Sequence, residues 1–385
     1  MRKYTLASLG SALAFIALTF FSLGGTAFAA TASTAAPTSS SYKHACSTAT
    51  VGHANCLALI NRAANPDANP TGGSAPYNPA NLHNAYNLPT TASGTPTVAI
   101  VDAYSDPNLK KDLATYRTQW GLPACTIKNG CLKIVNQTGG ATLPAPDQGW
   151  AVEESLDVDM VSAICQNCHI LVVEATSNSF ADLGTAANEA VKLGAIAVSN
   201  SYGAAEFSGE TTYCNTYYKH NYVAVTASTG DSGPGVDFPA VCAQVVGVGG
   251  TTLNANGTET AWNTSASEGA GGGCSTVIAK PGWEAAKVTK CSMRATGDVS
   301  AVADPNTGVY VYDTYGYSGW LEVGGTSASS PIIASVYALA GNVSSIQHAP
   351  SYPWAHRSNG CLFKVAGVRY TYQTGLGSPN GTACF

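Results

Sequence analysis

Residues 152–160 read Val-Glu-Glu-Ser-Leu-Asp-Val-Asp-Met and place four carboxylates, Glu153, Glu154, Asp157 and Asp159, in a stretch whose spacing predicts a helix facing a core. Only 11% of the 385-residue chain is charged, so such a density of acid needs a reason. Glu153 and Asp157 stand one helical turn apart, share a face and can hydrogen-bond to each other. Two close carboxyls resist joint ionisation, so one keeps its proton and the pair titrates as a unit. A glutamate in that setting can act as a base in acid. Glu154 and Asp159 point elsewhere on the same helix and are expected to be structural.

A base needs a nucleophile. Gly324-Gly325-Thr326-Ser327-Ala328-Ser329-Ser330-Pro331 supplies two glycines for a tight turn and then a helix starting near Ser327. The N–H groups and positive dipole end of that helix favour both a serine nucleophile and a developing oxyanion. The bland alternative is a helix cap. None of the seven histidines lies in a glycine-rich turn opening a helix, so the usual serine–histidine pairing finds no partner. A third segment, Ala227-Ser228-Thr229-Gly230-Asp231-Ser232-Gly233, ends a buried strand on Asp231. A carboxylic acid there can donate a hydrogen bond only while protonated, as acid or burial would ensure. A strand-end turn is the competing reading of Asp231.

These residues need a scaffold that gathers them. Apolar strands are expected at 97–104, 169–175, 195–203, 222–233 and 245–253, with helices over about 107–120, 149–165 and 179–194 between them. Wholly apolar strands alternating with helices imply an α/β fold whose mostly parallel sheet is buried on both faces. In such folds the site lies beyond the carboxyl ends of the strands. That rule picks out Asp102, Ser201-Tyr202-Gly203 and Gly230-Asp231.

The N-terminus has Arg2 and Lys3, an apolar run to about Phe21, and Ala27-Phe28-Ala29, the pattern of a cleaved export signal over 1–29. Residues 30–76 are rich in Ala, Ser, Thr, Pro and Asn and read as a linker or poorly ordered arm, pinned in part by a Cys46–Cys56 loop. The domain proper spans 77–385. Twelve cysteines suit an extracellular protein, and neighbours in sequence suggest the pairs 46–56, 125–131, 165–168, 274–291 and 361–384, leaving 214–242. Metal or redox use of Cys165-Gln166-Asn167-Cys168-His169 is the rival, without a second such motif to support it. Net charge is −5 with no basic run, which argues against nucleic acid or anionic membrane as partners.

Taken together, Glu153-x-x-x-Asp157, Ser228-Thr229-Gly230-Asp231-Ser232-Gly233 and Gly324-Gly325-Thr326-Ser327 through Pro331 resemble the sedolisin family of serine-carboxyl peptidases, which carries E-x-x-x-D, S-x-G-D-x-G and S-G-T-S-x-x-x-P in this order. The resemblance covers about 77–385. It implies a subtilisin-like α/β fold and a secreted, acid-active endopeptidase, expected to be a monomer acting on polypeptide substrates. Ser327 would be the nucleophile, Glu153 the general base and acid, Asp157 its orienting partner and Asp231 the oxyanion donor. Ser201, Tyr202 and Gly203 would form an edge on which an extended peptide pairs. The chain departs from the pattern at Gly324, where the family has serine, in its short N-terminal part, and at Thr371, where a calcium-binding aspartate would stand. No cofactor is therefore expected, the family's calcium site being degraded. Two other readings remain: an inactive relative that binds peptides or surfaces, and a histidine-dependent subtilisin using Asp102, which lacks a histidine.

Overall fold

The computed structural model describes residues 42–62 and 75–385. The expected export signal lies outside the described residues, as does about half of the expected linker.

Strands β4 (Thr97–Ala103), β5 (Leu132–Asn136), β6 (His169–Ala175), β7 (Ala197–Asn200), β9 (Ala224–Ser228) and β11 (Val246–Leu253) are parallel and hydrogen-bonded in the order β11-β9-β7-β4-β6-β5. A further strand, Val299–Val302, pairs in parallel with β11, and β12 (Glu259–Ala261) closes that edge antiparallel. The Val, Ile and Ala side chains of β4, β6 and β7 are buried, as continuous apolar strands covered on both faces must be. Helices α1 (Pro79–Tyr86) and α2 (Leu109–Gln119) pack on α3 (Gln148–Ile164), and α4 (Phe180–Lys192) packs on β4 and β6. A fifth, α5 (Thr326–Ala340), packs on α3 and on the sheet. The α/β, subtilisin-like reading of the sequence is the fold observed.

Two expectations change in detail. The strand expected over 195–203 breaks at Ser201: β7 stays in the large sheet, while β8 (Tyr202–Ala205) leaves it for a three-stranded sheet with β2 (Asn55–Cys56) and β10 (Asp237–Phe238). And residues 42–62, read as part of a poorly ordered arm, are built into the protein. There β1 (Tyr42–His44) pairs with β3 (Leu59–Asn61), which pairs in turn with Val323 and Gly324. These strands are too short to announce themselves by alternation, and only distant partners make them strands.

All six disulfides join the cysteines paired above: 46–56, 125–131, 165–168, 214–242, 274–291 and 361–384. The Cys165–Cys168 bond leaves no thiolate for a metal.

Arg294 is fully buried and donates to Asp298 at 2.5 Å and to Glu284 at 3.2 Å; Asp298 also accepts from Trp354 Nε1 at 2.7 Å. The cluster ties the loop before Val299–Val302 to the C-terminal part of the chain. Replacing Arg294 by Ala would leave the buried Asp298 carboxylate without its cation, while Glu284 keeps Lys280 at 2.6 Å. A loss of about 3–5 kcal/mol is expected, read as a lower denaturant midpoint with an unchanged slope.

Candidate active site

Helix α3 is capped by Asp147, whose side chain accepts the N–H groups of Gly149 and Trp150 at 2.9 and 3.0 Å. From Trp150 to Ile164 every residue is buried, the four carboxylates included. Glu154 and Asp159 are thus not on a solvated face. Both Glu154 oxygens lack a hydrogen-bond partner, while Asp159 accepts the Tyr312 N–H at 3.0 Å.

Glu153 Oε2 accepts two backbone N–H groups, from Leu57 at 2.9 Å and Ala58 at 2.8 Å. Asp157 Oδ1 accepts the Ser201 hydroxyl at 2.6 Å. The direct hydrogen bond expected between Glu153 and Asp157 is not among their contacts; Glu153 Oε1 and Asp157 Oδ2 have no partner. What links the two acids is charge. Burial raises both carboxyls well above their ordinary range, and the charge of Asp102 raises both further.

Asp102 ends β4, is fully buried, and has no hydrogen-bond partner. In the β4–β6 register it sits directly beside Glu174, so two buried carboxyls lie side by side without a cation, and burial then mutual repulsion raise Asp102. The sequence marked Asp102 by its place at a strand end but assigned it only to a histidine-dependent alternative.

Ser327 occupies the first turn of α5, behind Gly325 at φ +93°. Its hydroxyl donates to the Ser201 carbonyl at 3.1 Å, and Ser327 also stands among the groups that favour the charged form of Glu153. Pro331, four residues on, has no N–H to give the Ser327 carbonyl; the Ser201 hydroxyl reaches that carbonyl at 3.3 Å. Gly324 is explained by space: a Cβ there would lie 2.5 Å from the Ala303 carbonyl oxygen and from Pro305, so the family's serine would not fit without a shift.

Asp231 approaches from the loop after β9. Its Oδ1 accepts the Thr326 N–H at 2.8 Å and the Thr326 hydroxyl at 2.7 Å, while the buried Oδ2 has no partner. Burial pushes this carboxyl up to about 7 against the pull of Thr326, so it is protonated in acid. Ser327, Glu153, Asp157, Asp231 and Ser201 therefore share one site. Tyr202 and Gly203 border it on β8, and they are paired with Cys56 and Asn55 of β2. None of the hydrogen bonds of these groups involves a histidine.

Metal-ligating possibilities lie elsewhere. Among the described residues, carboxylate oxygens of Asp106, Asp112 and Asp313 fall within 4.8 Å of one another. In the C-terminal stretch, the Thr371 hydroxyl pairs with Thr374 at 2.7 Å, and no Asp or Glu follows Glu322 in the chain. Those residues do not fit a calcium ion.

No family model matches the chain. It is 29% identical to kumamolisin of Bacillus sp. (strain MN-32) over 294 residues, which cover 68% of this chain and 51% of that protein. It is 31% identical to sedolisin of Pseudomonas sp. (strain 101) over 170 residues, 37% of this chain and 28% of that one. These matches support the sedolisin family. The chain spans about half the length of kumamolisin in that match and less of sedolisin. In fold it matches Pseudomonas sedolisin, a serine-carboxyl proteinase complexed with pseudo-iodotyrostatin, with a TM-score of 0.67 at 24% identity over 80% of this chain and 96% of that one. The match to sphericase is more distant, with a TM-score of 0.51 at 15% identity over 77% and 96% of the two chains.

The buried acids of this chain give its stability a sign. Asp231 and Asp313 are pushed up to about 7 and Asp106 to about 6, each chiefly by burial. An acid raised in the folded state binds more protons there than in the unfolded chain, whose carboxyls titrate near ~4. Their stabilising effect is complete below about pH 4 and is lost as pH rises through about 6 to 7. Thermal unfolding should therefore occur at a higher temperature at about pH 4 than at about pH 8. An equal or higher midpoint at the alkaline end would contradict the buried, neutral acids.

Proposed function

We propose that this protein is a secreted, acid-active serine endopeptidase. Ser327 is the nucleophile, Glu153 the general base and acid, Asp157 the partner that orients Glu153, and Asp231 the oxyanion donor. The observation that carries the reading is the convergence of Ser327 with two buried acids and with Asp231, whose free oxygen is protonated in acid.

Each role follows from that arrangement. Redirecting the Ser327 hydroxyl from the Ser201 carbonyl to Glu153 makes a nucleophile–base pair of the kind that usually tightens when substrate binds. Glu153 takes the serine proton and returns it to the leaving amine. Asp157, held by Ser201 and by repulsion from Asp102, keeps the next charge from forming and so favours a single shared proton. Asp231 offers an O–H to the tetrahedral oxyanion, beside the N-terminal end of α5. Tyr202 and Gly203 supply main-chain pairing for an extended peptide. No metal or other cofactor has a step in this scheme. The six disulfides suit an oxidising compartment, and no helix of the described residues is long and apolar enough to cross a membrane.

Ser327→Ala and Glu153→Gln are each expected to abolish cleavage of a denatured protein between about pH 3 and 5. Asp231→Ala should lower kcat by about 10²–10³. Activity that survives Glu153→Gln, or peaks above about pH 7, would refute a carboxyl base. A wild type as inert as Ser327→Ala across that range would favour the peptide-binding alternative.

A further inference from the structure

No Asp or Glu follows Glu322, and the Lys and Arg residues beyond it are Arg357, Lys364 and Arg369. All three line one cavity of about 220 Å³. None of them forms an ion pair: the pairs among the described residues join Lys192 to Glu189, Lys280 and Arg294 to Glu284, and Arg294 to Asp298. Val288, on the cavity wall, stands between Lys287 and Lys290 in sequence, and those two form no ion pair among the described residues either. The chain has 23 Asp and Glu against 18 Lys and Arg, so acids to pair with are plentiful. Like charges around one hollow repel, and a structure that gathers them without an acid leaves room for an anion from outside.

We infer that this cavity binds a phosphate group, held by Arg357, Lys364 and Arg369. Two guanidinium groups offer forked N–H donors and the lysine adds a point charge, a combination that suits a tetrahedral oxyanion with several acceptor oxygens. The volume is below the roughly 300–1,000 Å³ of a site for a drug-sized ligand, and it holds a phosphate with a few waters. Preference for phosphate over carboxylate rests on the acid-active reading above. At about pH 4 a carboxylate is roughly half protonated, whereas a phosphate that has taken up its proton of pKa about 6 still carries one charge. The stretch whose residues do not fit a calcium ion is thus set for the opposite charge.

The walls are fixed before any ligand arrives. Leu362, which lines the cavity, pairs with Pro379, and Phe363 pairs with Ser378. The Cys361–Cys384 disulfide closes the same corner. Asn380 donates its backbone N–H to the Cys361 carbonyl at 3.1 Å and its side-chain amide to the Gly360 carbonyl at 2.9 Å. Arg357 is anchored by donation to the Trp354 carbonyl. Lys364 and Arg369 lie in the chain between Phe363 and the strand Ser378–Pro379, and both are exposed. A bound anion joins that loop to Arg357, just past the helix Ser351–His356, with little ordering of the walls to offset its binding.

The full chain in chloride buffer at about pH 5 tests this by thermal unfolding and by titration calorimetry with inorganic phosphate, sodium chloride being added to match ionic strength. The unfolding midpoint should rise with the logarithm of phosphate concentration, and the titration should show one site per chain. Lys364→Gln combined with Arg369→Gln, both exposed, should unfold in chloride at or above the wild-type midpoint and weaken phosphate binding by at least about tenfold. Lys133→Gln, an exposed position on β5, should bind as the wild type does. Dimethyl phosphate distinguishes the source: binding as tight as that of inorganic phosphate assigns the site to a phosphodiester, and weaker binding assigns it to the free ion. A midpoint that chloride raises as much as phosphate overturns the inference, and so does a phosphate response that survives in the double variant. Cleavage of a denatured protein by the double variant in chloride should match the wild type. Failure of the phosphate site therefore leaves the peptidase reading standing, and an inert wild type that still binds phosphate leaves this inference standing.

Discussion

Everything at this site depends on burying carboxylates without cations. Asp102, Glu153, Glu154, Asp157, Glu174 and Asp231 are all nearly or wholly inaccessible, and none forms an ion pair among the described residues. A charge in such surroundings costs far more than a neutral acid, so the interior selects the protonated forms. The contrast is the Arg294 cluster, where buried acids do meet a cation. The difference between the two acid sets is whether a cation faces them in the interior.

The scaffold delivers these groups from separate elements. Asp102 and Glu174 come from the ends of adjacent parallel strands, Asp157 and Glu153 from a helix laid across them, and Asp231 from the loop after a third strand. Ser201 links them, since its hydroxyl serves Asp157 and its carbonyl receives Ser327. The break between β7 and β8 at this residue turns its backbone out of the large sheet toward the site.

Much of this was legible in the residues. The parallel sheet followed from apolar strands between helices, and the six cysteine pairs from proximity in sequence. The gathering of Glu153, Asp157, Asp231 and Ser327 was visible because each lies at a helix face or strand end that its neighbours announce. What was hidden depends on long-range pairing. The register that sets Asp102 beside Glu174 has no local signal, and the Ala- and Thr-rich run around Asn55–Cys56 resembles a linker until β8 is there to receive it. The Glu153–Asp157 spacing suggested a direct bond, but the nearby Ser201 hydroxyl takes Asp157 instead. Glu154 and Asp159 look like surface acids only if α3 is imagined with a solvated side.

Pro331 gives α5 a defect that reaches beyond the helix. With no N–H at that position, the Ser327 carbonyl is left for Ser201, and the same hydroxyl is held by Asp157. Any other residue at 331 would restore a helical donor and compete with Ser201 for that carbonyl. The helix would gain regularity while the serine, the linking hydroxyl and the acid pair lost their common anchor. Local order in α5 and mechanical coupling across the cleft are thus traded against each other at one ring.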